Sequence, residues 1–347
     1  MRTGLLILAL LIALPRSAQD TTPVSESAFC VNVWYPSADH PGGYDTLMAN
    51  LDVIDGVNPF WYTPVGDGSV QAVNGAEDAA QLAAWREAGL PVIPSIFSGL
   101  GNVISNLETR AAHIDAIVEL VERMDYDGID IDYEGFTLNT RDAFSEFIEG
   151  LSERLHANGR LLTIAVHPKA SDEGAWEGAA AQDWTRIAPA VDVFTIMTYD
   201  HGGRNAPPQP IGPTPWTLDV LEYAASITDL SKVRMGLHFY GYTWPRGNPP
   251  ATTINWEGVQ RYIDSFKPEI QRDPANMEAF IDFKPVGLPR QVVYFADATS
   301  VAFKVEQALA AFPELGGVAI WGLGGEDPAN WDVLRDLRPA ACGTDEE

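Results

Sequence analysis

Short runs rich in β-branched and aromatic residues alternate with longer stretches of helical periodicity from residue 30 onward. This alternation restricts the fold more than any other feature, because repeated βα units bury their strands between helices in a parallel sheet. The strand-like runs lie near 30 to 35, 53 to 61, 91 to 97, 127 to 133, 161 to 167, 191 to 198, 232 to 240 and 316 to 321. Helical stretches are clearest at 76 to 89, 109 to 124, 140 to 158, 215 to 227 and 300 to 312. Eight such units predict the α/β class and a (β/α)8 TIM barrel, whose chemistry gathers at the C-terminal ends of the strands. About 55 residues separate the seventh strand from the helix near Ser300, a connection long enough to carry structure of its own. It holds a helical stretch at 255 to 266 and strand-like runs at 279 to 283 and 291 to 295. A small α+β insertion over about 245 to 298 is expected to form one wall of a cleft.

The first residues read differently. An apolar run at 4 to 14 follows Arg2 and ends in Pro15-Arg16-Ser17-Ala18, the form of a secretory leader. It is too short to span a bilayer, and no later run reaches 18 apolar residues. The expectation is a leader over about residues 1 to 18, then a single catalytic barrel domain over 19 to 347. That domain should be a soluble monomer, secreted to an extracellular or periplasmic space and free of the membrane once the leader is removed. With 22 basic against 48 acidic side chains the net charge is −26, which repels phosphate backbones and excludes nucleic acid as a partner. The 46% hydrophobic content excludes intrinsic disorder.

Only Cys30 and Cys342 are present, too few for a cysteine zinc site. Export permits a disulfide between them. Cys30 opens the first strand and Cys342 follows the last helix, so both belong to the bottom of a barrel, and pairing is expected there. Six histidines are scattered without metal-ligand spacing, so neither a metal nor a cofactor is expected. Gly322 to Gly325 lacks the spacing of a dinucleotide turn, and no Gly-x-Ser-x-Gly elbow occurs.

The segment that carries chemistry is Asp127-Gly128-Ile129-Asp130-Ile131-Asp132-Tyr133-Glu134. On a strand, Asp130, Asp132 and Glu134 share one face with about 6 to 7 Å between neighbours. Three acids facing a barrel interior carry a desolvation and repulsion cost that is tolerated when they share protons and hydrogen bonds or perform chemistry. A calcium loop also alternates acids, but it needs glycine at its sixth position, whereas Gly128 is fourth counted from Asp125. A solvated edge strand is the other plain reading, and the flanking isoleucines weigh against it.

This segment resembles the Asp-x-x-Asp-x-Asp-x-Glu signature of glycoside hydrolase family 18, the chitinase family, on its fourth barrel strand. Met197-Thr198-Tyr199-Asp200, Tyr240-Gly241 and Trp321 resemble the family's motifs on strands six, seven and eight. Asn58-Pro59-Phe60-Trp61-Tyr62, Ile211-Gly212-Pro213-Thr214-Pro215-Trp216 and Trp321-Gly322-Leu323-Gly324-Gly325-Glu326-Asp327 are similar to a bacterial branch with spore-cortex and cell-wall N-acetylglucosaminidases. Two positions depart: chitinases of the family usually have Arg where this chain has Tyr242, and the branch often has an acid where it has Thr243.

The resemblance implies retaining hydrolysis of β-linked N-acetylglucosamine glycans, of peptidoglycan or chitin type, with the substrate's acetamido group as nucleophile. It implies Glu134 as general acid and base, Asp132 as the group orienting the acetamido N–H, Asp130 sharing a proton with Asp132, and Tyr199 as a donor to the acetamido oxygen. Trp321 would floor the central sugar site. Tyr240, Asp200, Met197, Phe60 and Trp34 complete the implied substrate contacts. The partner implied is an N-acetylglucosamine-containing oligo- or polysaccharide. A catalytically silent glycan-binding protein on the same barrel is the alternative. Such relatives usually lose Glu134 or Asp132, and this chain keeps both.

Overall fold

The computed structural model describes residues 28–36, 42–287, 289–339 and 342, and the leader read at residues 1–18 lies outside them. Eight parallel strands run Cys30–Tyr35, Gly56–Pro64, Ser95–Phe97, Gly128–Asp132, Leu161–Val166, Val193–Ile196, Val233–His238 and Gly317–Trp321. They pair in chain order, and the first strand pairs with both the second (Asn32 beside Gly56) and the eighth (Cys30 beside Gly317), which closes the ring. This is the (β/α)8 barrel that the alternation predicts.

Outward-facing side chains bind the ring to its helices. On the fourth strand Ile129 and Ile131 are fully buried in the same core as Ile117 and Val121. Those two belong to the helix Leu107–Met124, which buries His113, Ile117, Leu120 and Val121 at helical spacing. Each buried aliphatic side chain stabilises the packing by about 1.5–3 kcal/mol. Asn106 caps the helix by accepting the backbone N–H groups of Glu108 and Thr109, and Asp125 ends it in the left-handed region at φ 51°. Tyr133 also points outward: its phenol lies 2.5 Å from His113 Nε2, while His113 Nδ1 meets the Gly68 carbonyl at 2.8 Å. A carbonyl only accepts, so Nδ1 carries the hydrogen and Nε2 accepts the phenol proton.

The third strand is shorter than its sequence suggests. The run 91 to 97 yields only Ser95–Phe97 and one isolated bridge, Val57 to Val92. Pro91 and Pro94 have no N–H to give the ladder. The second strand starts and ends three residues later than 53 to 61, and its far end is held by a short antiparallel strand, Val70–Ala72.

The seventh connection folds into a five-stranded antiparallel sheet in the order Thr252–Ile254, Gly241–Pro245, Gln291–Phe295, Ala279–Phe283, Gln271–Arg272. It begins at Gly241, ahead of the position near 245 read from sequence. The helix Trp256–Phe266 packs on it, and Val259, Ala279, Ile281, Val293 and Phe295 form a separate small core. The excursion leaves the barrel after Tyr240 and returns at Ala296, whose N–H donates to the Tyr240 carbonyl at 3.3 Å. At the opposite end of the barrel, Cys30 and Cys342 form a disulfide with their Cα atoms 4.8 Å apart. Among the described residues no helix is long and apolar enough to cross a membrane.

Candidate active site

The C-terminal ends of the strands open into a cleft of 620 Å³ whose walls include Asp132, Glu134, Tyr199, Asp200, Met197, Trp34, Phe60 and Trp321. Strand alternation turns Asp130 and Asp132 inward, and both are buried. Asp130 is fully engaged. Ser95 Oγ and Trp34 Nε1 donate to its Oδ2 at 2.6 and 3.1 Å, and Thr163 Oγ1 donates to its Oδ1 at 2.6 Å. Barrel register supplies two of these partners, since Ser95 and Thr163 lie directly beside Asp130 on strands three and five. Burial raises the Asp130 carboxyl above the usual range, and the three donors pull it back down.

Asp132 is the opposite case. It lines the cleft, and its Oδ1 is buried with no hydrogen-bond partner among the described residues. Burial, then the Glu134 charge and then that of Asp130, hold its carboxyl well above the ordinary range. Glu134 lies just past the strand end with its side chain half exposed. Burial of its surroundings and the charge of Asp200 raise its carboxyl as well. These acids therefore favour a shared stock of protons over full ionisation.

Tyr199 follows a tight descent at the end of strand six, where Thr198 N–H meets the Ile196 carbonyl and Tyr199 N–H the Met197 carbonyl. Its ring packs over Gly236, where a Cβ would come within 2.9 Å of the ring, so only glycine leaves it room. Burial and the nearby charges of Asp132, Asp200 and Glu134 push the phenol far up, which keeps it protonated and a donor. Asp200 takes the left-handed conformation at φ 55° and accepts the phenol protons of Tyr240 and Tyr242 on one oxygen, at 2.6 and 2.7 Å. Trp321 ends strand eight with one face toward Phe60, 4.9 Å between centroids, and meets Trp34 edge-on at 6.3 Å. Tyr240 does not line this cleft. It stands behind Tyr199 at 6.5 Å and faces an adjoining space.

Sequence reading missed several lining residues: His167, Trp176, His201 and Trp216. His167 directly follows strand five, where position alone could have marked it as a lining residue, and its Nε2 lies 3.5 Å from Glu134 Oε2. Burial lowers His167 to about 4, so it is neutral near pH 7 and is no ionic partner for Glu134. Trp176 and Trp216 lie beyond strand ends, each beside a histidine at 4.6 and 4.9 Å. Trp216 lies in the first turn of the helix Thr214–Ala225, and the loop leading into that helix is pinned from the insertion. Glu278 accepts the N–H groups of Ile211 and Gly212 at 2.6 and 3.2 Å, and Asn276 Oδ1 accepts that of Thr214 at 2.9 Å. Buried beside them are Lys304 and His238, the latter with its Nε2 3.8 Å from Glu278. Burial raises Glu278 to about 7 and lowers Lys304 to about 8. A Cβ at Gly212 would lie 2.4 Å from Lys304 Nζ and 2.9 Å from the Thr198 carbonyl.

This constellation can be compared with known proteins. The profile of the family described as glycosyl hydrolases family 18 matches residues 44–326. The chain belongs to that family. The cortical fragment-lytic enzyme of Bacillus subtilis (strain 168) is 30% identical to this family 18 chain over 244 residues, 68% of the chain and 56% of that protein. The chain thus spans little more than half the length of that relative. Among solved structures, a chitinase from Chromobacterium violaceum superposes with a TM-score of 0.82 at 22% identity, covering 89% of this chain and 99% of that one. The Bacillus megaterium spore cortex-lytic enzyme SleL gives 0.81 at 21%, covering 91% and 75%. At these identities the structural likeness establishes the shared barrel.

Proposed function

We propose that this family 18 chain is a secreted retaining glycosidase that cuts β-linked N-acetylglucosamine glycans with the substrate's acetamido group as nucleophile. The observation that carries the reading is the contrast within the ladder: Asp130 is held by three donors, whereas Asp132, which lines the cleft, has a buried acceptor with no partner among the described residues. An acetamido N–H is the donor that Asp132 lacks.

In the first step Glu134 gives its proton to the glycosidic oxygen as the bond to the anomeric carbon breaks, while the acetamido oxygen attacks that carbon from the other face. Tyr199, held protonated, donates to the acetamido oxygen and aims it. Asp132 accepts the acetamido N–H and stabilises the positive oxazolinium. Water then attacks the anomeric carbon from the side the leaving sugar vacated as Glu134 takes its proton, the bond from that carbon to the acetamido oxygen breaks and restores the acetamido group, and configuration is retained. Trp321 stacks under the reacting sugar. The disulfide supports action outside the reducing cytoplasm.

The test is Glu134→Gln, which removes the transferable proton at nearly constant shape. It should abolish hydrolysis of chitin oligosaccharides and of peptidoglycan glycan strands while the variant still binds them in titration calorimetry. Cellulose oligomers, which have no acetamido group, should not be cut, and an oxazoline-mimicking thiazoline should inhibit. Retention of more than a few per cent of activity by the variant, or efficient cellulose cleavage, would overturn the mechanism.

A further inference from the structure

The cleft has a second lobe of 510 Å³ that the reaction above leaves unused. Trp321 and Asp200 border both lobes, so a glycan seated on Trp321 runs from one into the other. Its other walls include Tyr240, Tyr242, Asn255 and Arg204. Arg204 is anchored by a reciprocal pair of bonds: its Nε donates to the Ala251 carbonyl at 3.1 Å, and the Ala251 N–H donates to the Arg204 carbonyl at 2.7 Å. The two terminal nitrogens of the guanidinium have no hydrogen bond, and no carboxylate pairs with it among the described residues. Arg204 is exposed, so those nitrogens are open to a ligand in the lobe. Its charge is close enough to act on the Tyr242 phenol. Asn255 spends its Oδ1 on the N–H of Gly258, which leaves its amide N–H groups as further donors to the lobe.

We infer that this lobe is a subsite for an N-acetylhexosamine bearing a free carboxylate, and that Arg204 reads that carboxylate with its terminal N–H groups. An anchored guanidinium presents a planar fork that matches a carboxylate. Asp200, the acid at the neck, accepts both phenols on one oxygen and forms no ion pair with Arg204. The inference rests on the glycosidase reading and narrows its substrate. In a glycan that alternates N-acetylglucosamine with N-acetylmuramic acid, a glucosamine over Trp321 puts a lactyl group in the neighbouring position. That lactyl carboxyl is free only where no peptide stem is attached, so the reaction that supplies this substrate is hydrolysis of the lactyl amide.

The experiment compares a peptide-free tetrasaccharide of alternating N-acetylglucosamine and N-acetylmuramic acid with its lactyl methyl esters. The intact protein should show a kcat/KM at least tenfold higher for the free acid, and added salt should shrink that preference. Arg204→Gln should bring the ratio near one, and Arg204→Lys, which keeps the charge without the fork, should fall between. Melting temperatures of both variants report folding. If Arg204→Gln does not fold, the acid-to-ester ratio of the unaltered protein and its salt dependence decide alone. Equal rates on acid and ester, or an undiminished preference in Arg204→Gln, overturn the inference and leave the glycosidase reading standing. Failure to cut these tetrasaccharides and chitin tetraose alike overturns both.

Discussion

The indole N–H of Trp34, on the first barrel strand, points across the barrel mouth at Asp130 Oδ2 on the fourth, 3.1 Å away. Trp34 therefore belongs to the carboxylate machinery as well as to the aromatic lining. Trp34→Phe keeps an apolar ring and removes the donor. A hydrogen bond to a charged acceptor is worth about 1.5–3 kcal/mol, so kcat/KM is expected to fall roughly ten- to hundredfold, with far-UV circular dichroism unchanged. Activity within twofold of normal would show that Ser95 and Thr163 suffice to hold Asp130.

The pH profile follows from Glu134. Its carboxyl is raised by burial and by the negative charge of Asp200, and the acid must be protonated to act. The alkaline limb of kcat/KM should therefore lie above the ordinary glutamate range. Asp200→Asn removes a like charge, which lowers the Glu134 pKa and moves that limb to lower pH. A limb that stays in place in the variant would show that Asp200 does not tune the acid.

Glu278 offers a test of stability. Glu278→Ala leaves the buried N–H groups of Ile211 and Gly212 without an acceptor, a loss of about 1–3 kcal/mol in urea denaturation. Because burial raises Glu278 from 4.5 to about 7, the folded state holds its proton where the unfolded chain has released it. Its contribution is full below pH of about 4.5 and is lost as pH rises toward 7. Glu278→Gln should flatten that decline. An unchanged slope of stability against pH between 5 and 7 would place the titration elsewhere.

The disulfide joins residues 312 apart in sequence at the end of the barrel remote from the cleft. In the chain-entropy model a loop of that size stabilises the fold by about 6 kcal/mol. Reduction, or Cys30→Ser, should lower the melting temperature and leave the activity of folded protein near normal. Loss of activity without loss of stability would contradict the separation of the two ends.

The ladder was legible in sequence because acids spaced by two between isoleucines fit only one face of a strand. The barrel was legible because its strands are local runs. The partners of Asp130 were not, since Ser95 and Thr163 are single polar residues in apolar runs and acquire meaning only through the register that sets them beside Asp130. Proline content decided the short third strand, a local signal that the hydrophobic run masked. The insertion's strand order was hidden for a different reason: Gly241–Pro245 pairs with Gln291–Phe295 across almost the whole excursion, and no local pattern encodes such a pairing. Arg204 and Asn255 gave no signal at all, because their roles depend on backbone groups at Ala251 and Gly258.

The bond from Ala296 N–H to the Tyr240 carbonyl has a consequence for how such a cleft can change. The excursion departs and returns at the same point, so to the barrel it is a loop of almost no span. Closing a short or a long loop across a fixed gap differs little in free energy, about 0.6 kcal/mol for each doubling of length. The wall can therefore be lengthened, trimmed or exchanged without disturbing the closure of the eight strands. Substrate reach on this side can vary as long as the insertion keeps Tyr242 on Asp200 and Glu278 on the loop at Ile211 and Gly212.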